Sequence, residues 1–437
     1  MKNLIIAFTI LVFVKPLQAQ DPAFEIKLEE EDLVDLTSWV DQDGYILIDA
    51  SFDTHNHYFY LLNPEGEVVS RYKNFYQNIF YKGFTSNEKE FTVYFSRTPN
   101  GEIHFLDFFK EGSRPPLSTV WTNAPKDLPE VRFNIEGVMY LLSFDKKKSQ
   151  LRVSFSDGPV TEFTTYNFDV TKEQAKEILK GSYASVDLDG FFDNHFGAGV
   201  ATISNRRLIL LRNDNVKWVK HDFDFANPNF VFKTIPLPEM GNVIKHKTDA
   251  SILNDQIFIG SLSEQKACLQ ITNLDFEVVW SDCFDADTGL KLNSFGILDY
   301  EGDKIDDKWL EKENYAVKVL RALASENYGY LNVVQLKNGD YSIKMGTESP
   351  PYHTPNPIGG TTYHPAASIT FNGNLSKEQG ISNSDNFFSQ VAKNTDMQFN
   401  LPFYGKKKLL ALSKEHYFKV DWNFKKQKLD IYKYPTL

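Results

Sequence analysis

Short apolar runs alternate with polar turns along most of the chain. In one unit, the run Ile-Leu-Ile at residues 46–48 is followed by a tight turn at residues 63–66, Asn-Pro-Glu-Gly. Proline presets the backbone angle φ for such a turn, and glycine tolerates positive φ. The run Ile-Phe-Ile at residues 257–259 repeats the first one, and Glu-Val-Val occurs at both 67–69 and 277–279. Because β-branched and aromatic runs bounded by turn residues are typical of antiparallel strands, the pattern predicts a repeated β unit.

The unit recurs about seven times, with six as the alternative count. The copies cover residues 45–73, 91–109, 138–166, 199–223, 256–282, 328–346 with 366–380, and 409–434. One small twisted sheet cannot bury both of its faces, whereas a ring of such sheets covers every face and leaves only short edges. The sequence therefore predicts an all-β protein, a β-propeller of small antiparallel sheets, whose last sheet is completed by residues 24–30. Two β-sandwiches in tandem are the alternative.

Two segments are predicted to form helical insertions between the sheets. Residues 169–180 contain Thr171 as a candidate N-cap, with Glu173 and Gln174 close behind it. Residues 306–326 have apolar side chains at helical spacing and charged residues between them.

The alternation of strands and turns resembles that of secreted bacterial β-propellers in the broad sense, including the TolB-like and YVTN-like groups. The resemblance covers most of residues 24–434 and is architectural. A repeated Trp-Asp dipeptide is absent and Gly359-Gly360 is the one Gly-Gly pair, so the WD40 and kelch patterns do not fit. The resemblance implies a propeller fold and no particular activity, because propellers include both enzymes and binding platforms.

The first 19 residues have the layout of a secretory signal peptide. Lys2 gives a positive charge, residues 4–14 are apolar, and Ala19 precedes the expected cleavage near Gln20. The apolar run is shorter than the roughly 20 residues that a membrane span needs. We therefore expect residues 20–437 to form a single, soluble β-propeller domain that is periplasmic or secreted and has no membrane span.

Charge and aromatic content narrow the set of partners. The net charge of −11 opposes binding to phosphate backbones, so nucleic acid is not an expected partner. The 36 Phe, 21 Tyr and 6 Trp favour strands, and a minority of these rings could line a sugar-binding surface. An unidentified protein or glycan is the expected ligand.

Two cysteines, Cys268 and Cys283, flank one predicted hairpin whose turn lies at residues 273–275. In an exported chain this arrangement predicts a structural disulfide. A zinc site is the weaker alternative, because two cysteines without a Cys-x-x-Cys pair are too few ligands.

Residues 349–367 form the segment with the best prospect of ligand contact. This Pro- and Gly-rich connection contains Tyr352, His353, Tyr363 and His364. Long connections without secondary structure are uncommon in compact domains and often have a function. We expect a long loop here, in which the four side chains form part of a pocket; a proline-stiffened cover with surface histidines is the alternative.

Two other places could hold a metal ion. Asp187, Asp189 and Asp193 lie in an acidic loop with oxygen ligands of the kind that Ca²⁺ prefers, although the EF-hand spacing is not met. Acidic turns of this kind also occur for their turn chemistry alone, and that interpretation is preferred. His55 and His57 could bind a transition metal, but a polar turn is the better interpretation because no third ligand can be assigned.

The motifs of serine hydrolases, zinc proteases and P-loop enzymes are absent from the sequence. We therefore expect a non-catalytic binding or scaffold module without a cofactor, with calcium as the one alternative. A carbohydrate-active hydrolase or lyase with its site at the propeller mouth is the second hypothesis. The catalytic residues of such an enzyme cannot be chosen from the sequence, because a glycosidase pair is defined by its separation across a cleft.

Overall fold

The computed structural model describes much of the chain, in segments. These are residues 22–27, 33–41, 43–52, 56–74, 79–97, 103–111, 114–120, 131–135, 138–156, 163–180, 183–185, 199–213, 217–236, 246–285, 295–298, 317, 320–321, 328–349, 352–355, 361–364, 367–375, 408–412, 416–423 and 425–435. Within them the strands form seven sheets and one separate hairpin.

The first three sheets follow the chain, after a strand β1 (Phe24–Lys27) that belongs to the last sheet. Sheet 1 contains β2 (Asp35–Val40), β3 (Ile46–Ser51), β4 (His57–Leu62) and β5 (Val68–Asn74). Sheet 2 contains β6 (Phe80–Ser86), β7 (Glu90–Ser96), β8 (Ile103–Phe109) and β9 (Leu117–Val120). Sheet 3 contains β10 (Val131–Ile135), β11 (Val138–Asp145), β12 (Gln150–Ser156) and β13 (Thr164–Asp169).

In the chain, helix α1 (Lys172–Leu179) follows sheet 3 and precedes sheet 4. Sheet 4 contains β14 (Tyr183–Ser185), β15 (Gly199–Ser204), β16 (Arg207–Asn213), β17 (Lys217–Asp224) and β18 (Asn229–Pro236), and β14 is parallel to β15. Sheet 5 contains β19 (His246–Leu253), β20 (Gln256–Ser263), β21 (Lys266–Asn273) and β22 (Val278–Asp285).

The last two sheets depart from simple chain order. Sheet 6 has the spatial order β23-β28-β25-β24, formed by β23 (Phe295–Leu298), β24 (Tyr328–Gln335), β25 (Tyr341–Ser349) and β28 (Ala367–Leu375). The separate hairpin consists of β26 (Tyr352–Pro355) and β27 (Thr361–His364). Sheet 7 joins β29 (Lys408–Leu412), β30 (His416–Asn423) and β31 (Lys428–Pro435) to β1, in a register that runs from Phe24 opposite Ile431 to Lys27 opposite Lys428.

Neighbouring sheets pack face to face around a common centre. One apolar cluster joins sheets 1 and 2 through side chains such as Phe59 and Phe91, and another joins sheets 4 and 5 through Trp218 and Ile257. Equivalent clusters join sheets 2 and 3, 3 and 4, 5 and 6, and 7 and 1. This radial packing confirms the predicted propeller of seven sheets, and the alternatives of six sheets and of tandem β-sandwiches are wrong.

The strands at one edge of each sheet lie towards the centre. Strand β2 contacts β29, β6 contacts β10, and β19 contacts both β15 and β24. The opposite edge strands carry exposed apolar residues, among them Leu117, Phe232 and Val278. Adjacent strands are antiparallel except β14 and β15, so β15 is counted as the first strand of sheet 4. Because the first strands of a propeller's repeated sheets run in the same direction, the connection between the second and third strands, counted from the centre, lies at the same end of every sheet. We call this end of the ring the upper face, and the end with the connections between first and second strands the lower face.

Helix α1 confirms the first predicted helical insertion. The Thr171 hydroxyl accepts a hydrogen bond from the Gln174 N–H at 3.2 Å, and the Gln174 side chain accepts one from the Thr171 N–H at 2.8 Å. This capping box satisfies two of the N–H groups that a helix start leaves free. Buried Ala175 and Ile178 fix the helix against sheets 3 and 4. Most of the second predicted helix lies outside the described residues, although Val317, Leu320 and Arg321 are helical.

The sequence repeat between the first and fifth units is confirmed in atomic detail. In sheet 1 the Asn63 side-chain oxygen accepts the Glu67 N–H at 2.7 Å, and in sheet 5 Asn273 does the same for Glu277 at 3.0 Å. The backbone bonds of the two turns also correspond. Gly66 and Phe276 occupy the same turn position with φ of 87° and 73°, so the turn shape does not depend on glycine alone.

Candidate functional site

The hairpin of β26 and β27 contains the four residues expected to contact a ligand. It connects β25 to β28, the second and third strands of sheet 6, so it lies on the upper face. Tyr352 is directly opposite His364, and His353 is directly opposite Tyr363. Directly opposed residues of an antiparallel pair have Cβ atoms about 4.5–5.5 Å apart. The four positions thus form two directly opposed Tyr–His pairs, which alternate between the two sides of the hairpin.

The expected long loop at residues 349–367 is therefore wrong in part, because its middle is a two-stranded sheet. The β-branched and aromatic content of Thr361, Thr362 and Tyr363 favours a strand. Pro355 ends β26, where the loss of an N–H donor is tolerated. These short strands were not predicted because Pro and Gly are frequent in the segment. The Thr-Thr-Tyr run was the sequence signal that could have predicted one of them.

Of the residues considered for metal binding, only His57 lies within the described residues. Asp187, Asp189 and Asp193 lie outside them, as does His55. His57 is buried at the start of β4, not in the polar turn that the sequence suggested. No group of three or more His, Cys, Asp or Glu side chains suited to a metal ion occurs in the described segments.

His57 instead belongs to a buried polar network between sheets 1 and 2. Its Nδ1 lies 2.9 Å from Asp49 Oδ2, and the Tyr81 hydroxyl donates to the same oxygen. Burial, reinforced by the charge of Asp49, raises the pKa of Tyr81 well above its usual value, so the phenol remains a donor. Sequence reasoning missed this network because Asp49 and Tyr81 come from different sheets. The network links the two sheets.

One buried lysine, Lys220, and one half-buried lysine, Lys433, make similar links elsewhere in the ring. Lys220 of sheet 4 donates to the Leu274 carbonyl in the turn of sheet 5, and Lys433 of sheet 7 donates to the Pro64 carbonyl of sheet 1 at 2.9 Å. Leu274 and Pro64 hold the same position in the two matching Asn-x-x-x-Glu turns. Burial lowers the pKa of Lys220, although the nearby Asp222 carboxylate favours the charged form.

Asp249, on the central strand β19, is a titratable group that the sequence did not single out. Its carboxyl accepts hydrogen bonds from the Leu331 N–H of sheet 6 at 2.7 Å and from its neighbour Ala250 at 2.9 Å. Burial raises its pKa to about 7, despite these two donors. A carboxyl group that titrates near neutrality can exchange a proton at physiological pH.

The predicted disulfide is confirmed. Cys268 on β21 and Cys283 on β22 occupy directly opposed positions and are bonded, with Cα atoms 4.1 Å apart. The bond ties the outermost strand of sheet 5 to its neighbour.

No helix in the described part of the chain combines the length and apolar character that crossing a membrane requires.

The order, register and radial packing of the sheets define the chain as a seven-bladed β-propeller. No protein-family model and no curated protein matches it.

Solved structures with some likeness include a prolyl endopeptidase from a study of inter-domain dynamics, at 11% identity and a TM-score of 0.34, covering 89% of this chain and 46% of that one. Prolyl oligopeptidase B from Galerina marginata, bound to a 35mer hydrolysis and macrocyclization substrate, is 9% identical with a TM-score of 0.34, covering 76% of this chain and 46% of that one. The chain thus spans about half the length of these proteins. The propeller assignment rests on the chain's own sheet topology.

Proposed function

We propose that the protein is an exported binding module whose ligand is held on the upper face by the β26–β27 hairpin. The observation that carries the proposal is the placement of two opposed Tyr–His pairs on a hairpin inserted between two strands of sheet 6. The corresponding connections of sheets 3 and 5 are short turns, at residues 146–149 and 264–265. Tyrosine and histidine combine an apolar ring with a hydrogen-bonding group, which suits recognition of a glycan or a protein surface.

Export is supported by two features. The first 19 residues have the signal-peptide pattern, and the Cys268–Cys283 disulfide is of the kind that persists in oxidising compartments. Mass spectrometry of the protein recovered from cell fractions tests this part of the proposal. A mature N-terminus near Gln20 in the periplasmic or extracellular fraction is the expected result, and an intact N-terminus in the cytoplasm would contradict it.

The binding surface is tested with an array of neutral and acidic oligosaccharides. We compare the unchanged protein with the variants Tyr352→Ala/His353→Ala and Tyr363→Ala/His364→Ala. Binding to at least one glycan class should fall about tenfold in both variants. Lys337→Ala, in the lower-face turn of the same sheet, is the matched control and should bind normally. Equal binding by all variants would overturn the assignment of the hairpin.

The second candidate function is a carbohydrate-active hydrolase or lyase, and Asp249 is the residue with which it is tested. A carboxyl group with a pKa of about 7 on a central strand has the protonation behaviour of a general acid. The same glycans are therefore screened for cleavage with the unchanged protein and with Asp249→Asn. Turnover that disappears in the variant, while glycan binding is retained, would favour the enzyme.

A further inference from the structure

Two upper-face turns present exposed lysines on the same local framework. Between β11 and β12, the Asp145 side chain accepts the N–H groups of Lys147 at 3.0 Å and Lys148 at 3.2 Å. Between β30 and β31, the Asn423 side chain accepts the N–H of Lys426 at 3.3 Å. Both turns join residues five positions apart, 145 with 150 and 423 with 428. Lysines 146, 147, 148, 425 and 426 are all exposed.

The turn geometry does not require lysine. The lower-face turn between β17 and β18 has the same length, and the Asp224 side chain accepts the N–H groups of Ala226 at 2.8 Å and Asn227 at 3.2 Å. Alanine and asparagine thus occupy the positions that Lys147 and Lys148 hold in sheet 3. The turn of sheet 4 forms without lysines, so the lysines of sheets 3 and 7 are not needed for the shape of their turns.

Within the two turns the one carboxylate, Asp145, attracts the charge of Lys148 but forms its ion pair with Arg152. The Asp145 carboxylate is engaged by Arg152 at 2.5 Å. Among the described residues, no carboxylate forms an ion pair with Lys147, Lys148, Lys425 or Lys426. The chain as a whole has a net charge of −11, so these turns are local positive sites on an acidic protein. Such sites attract anionic groups through the long-range field.

The position of the turns connects them with the proposed binding surface. Both lie on the upper face, like the β26–β27 hairpin, because they also join the second and third strands of their sheets. Sheet 7, which carries Lys425 and Lys426, follows sheet 6, which carries the hairpin, around the ring. An extended ligand that runs from the hairpin towards sheet 7 would therefore reach these lysines.

Resting on the proposed function, we propose that the ligand is an acidic polysaccharide whose carboxylates contact Lys425 and Lys426, with Lys147 and Lys148 as a second contact. Aromatic rings at the hairpin suit sugar faces, and ammonium groups suit the carboxylates of uronic-acid units. A membrane fits less well because the exposed apolar residues Phe232 and Val278 lie on the outermost strands of sheets 4 and 5, whereas the lysine turns belong to sheets 3 and 7.

The test measures binding of the full chain to polygalacturonate, to neutral dextran and to vesicles that contain anionic lipid. The variants are Lys425→Glu/Lys426→Glu, Lys147→Glu/Lys148→Glu and Tyr363→Ala/His364→Ala. The matched control, Lys89→Glu/Lys337→Glu, makes the same change in charge at exposed lower-face turns. Each measurement is repeated across a salt series, because contacts between exposed charges weaken as salt rises.

The unchanged protein should bind polygalacturonate in preference to dextran, and binding should weaken with salt. Lys425→Glu/Lys426→Glu should lose about tenfold in affinity, Lys147→Glu/Lys148→Glu should lose less, and the control should change less than about twofold. A preference for dextran or for vesicles, absence of polygalacturonate binding, or an equal loss in the control would overturn the inference. The hairpin variant separates the two proposals. If this variant alone loses binding, the hairpin site is supported and the acidic ligand is not. If only the lysine variants lose binding, the acidic ligand is supported and the hairpin site is not.

Discussion

His221 lies in surroundings that oppose its ionisation. The side chain is fully buried on β17, and neither ring nitrogen has a hydrogen-bond partner among the described residues. Its ring is stacked on Phe230 with 6.0 Å between ring centroids. Burial, with a smaller contribution from the Arg212 charge, lowers the pKa of His221 from 6.5 to about 4. The folded protein therefore keeps this imidazole neutral at a pH where the unfolded chain would protonate it.

The consequence is a defined loss of stability in acid. The folded-state pKa lies below the unfolded value, so the contribution of His221 is complete above the unfolded pKa and declines as the pH falls towards the folded pKa. Over the interval from 6.5 to about 4, the loss is about 3 kcal/mol at most. In His221→Phe, which retains the ring stacking, this part of the pH dependence should disappear. Denaturant unfolding at about pH 7.5 and about pH 4.5 measures it. If the free energy of unfolding fell equally between these two pH values in both proteins, His221 would not be responsible for the loss.

At the scale of single elements, α1 depends on its cap more than on its length. The helix has eight residues, which is too short to be stable alone, and it is held by Ala175, Ile178 and the capping box at Thr171. Thr171→Ala should lower the free energy of unfolding by about 1 kcal/mol, because the N–H of Gln174 loses its acceptor. Thr171→Ser keeps the hydroxyl and is the control. Thermal unfolding of the three proteins decides the matter, and equal midpoints for Thr171→Ala and the unchanged protein would contradict it.

The disulfide should stabilise the outer edge of sheet 5. It joins residues separated by 15 positions in the chain, and closing such a loop contributes about 3 kcal/mol in the chain-entropy model. Cys268→Ala/Cys283→Ala should therefore unfold at lower denaturant concentration than the oxidised protein. In reductant, the unchanged protein should fall to the level of the variant. A variant as stable as the oxidised protein would mean that the ladder between β21 and β22 already fixes this edge.

The sequence predicted those elements whose signals are local. The turn at Asn63, the cap at Thr171 and the facing cysteines are each encoded within a few residues, and each is confirmed. Chain order gave no sign that β23 would become the outermost strand of sheet 6, since that choice depends on which edge remains open. The contacts of Asp49 and Asp249 were equally hidden, because each joins two sheets that only the completed ring brings together. For the candidate site, sequence identified the four residues but not their opposed register.

At the scale of the whole molecule, stability depends on contacts between sheets that are adjacent in the ring but distant in the chain. The join between sheets 7 and 1 brings together the two ends of the described chain. Ile26 of β1 is buried in the cluster shared by these sheets, and the ring of Phe24 lies so close to Gly66 that an added Cβ would meet it at 1.9 Å. Glu25 forms an ion pair with Lys428. Strand β1, which has four residues, is therefore held in the join both by apolar burial and by a half-exposed ion pair.

Their contributions should differ in a way that substitution can measure. Ile26→Ala removes buried side-chain volume from the join and should lower the free energy of unfolding by about 2–4 kcal/mol. Glu25→Gln removes the ion pair and should cost no more than about 1 kcal/mol, because Glu25 is 50% exposed and such pairs are screened by solvent. The Ile26 variant should also form larger species in size-exclusion chromatography, since a loosened β1 exposes the edge of β31 to other chains. If Glu25→Gln destabilised the protein as much as Ile26→Ala, closure of the ring would depend on charge and not on apolar packing.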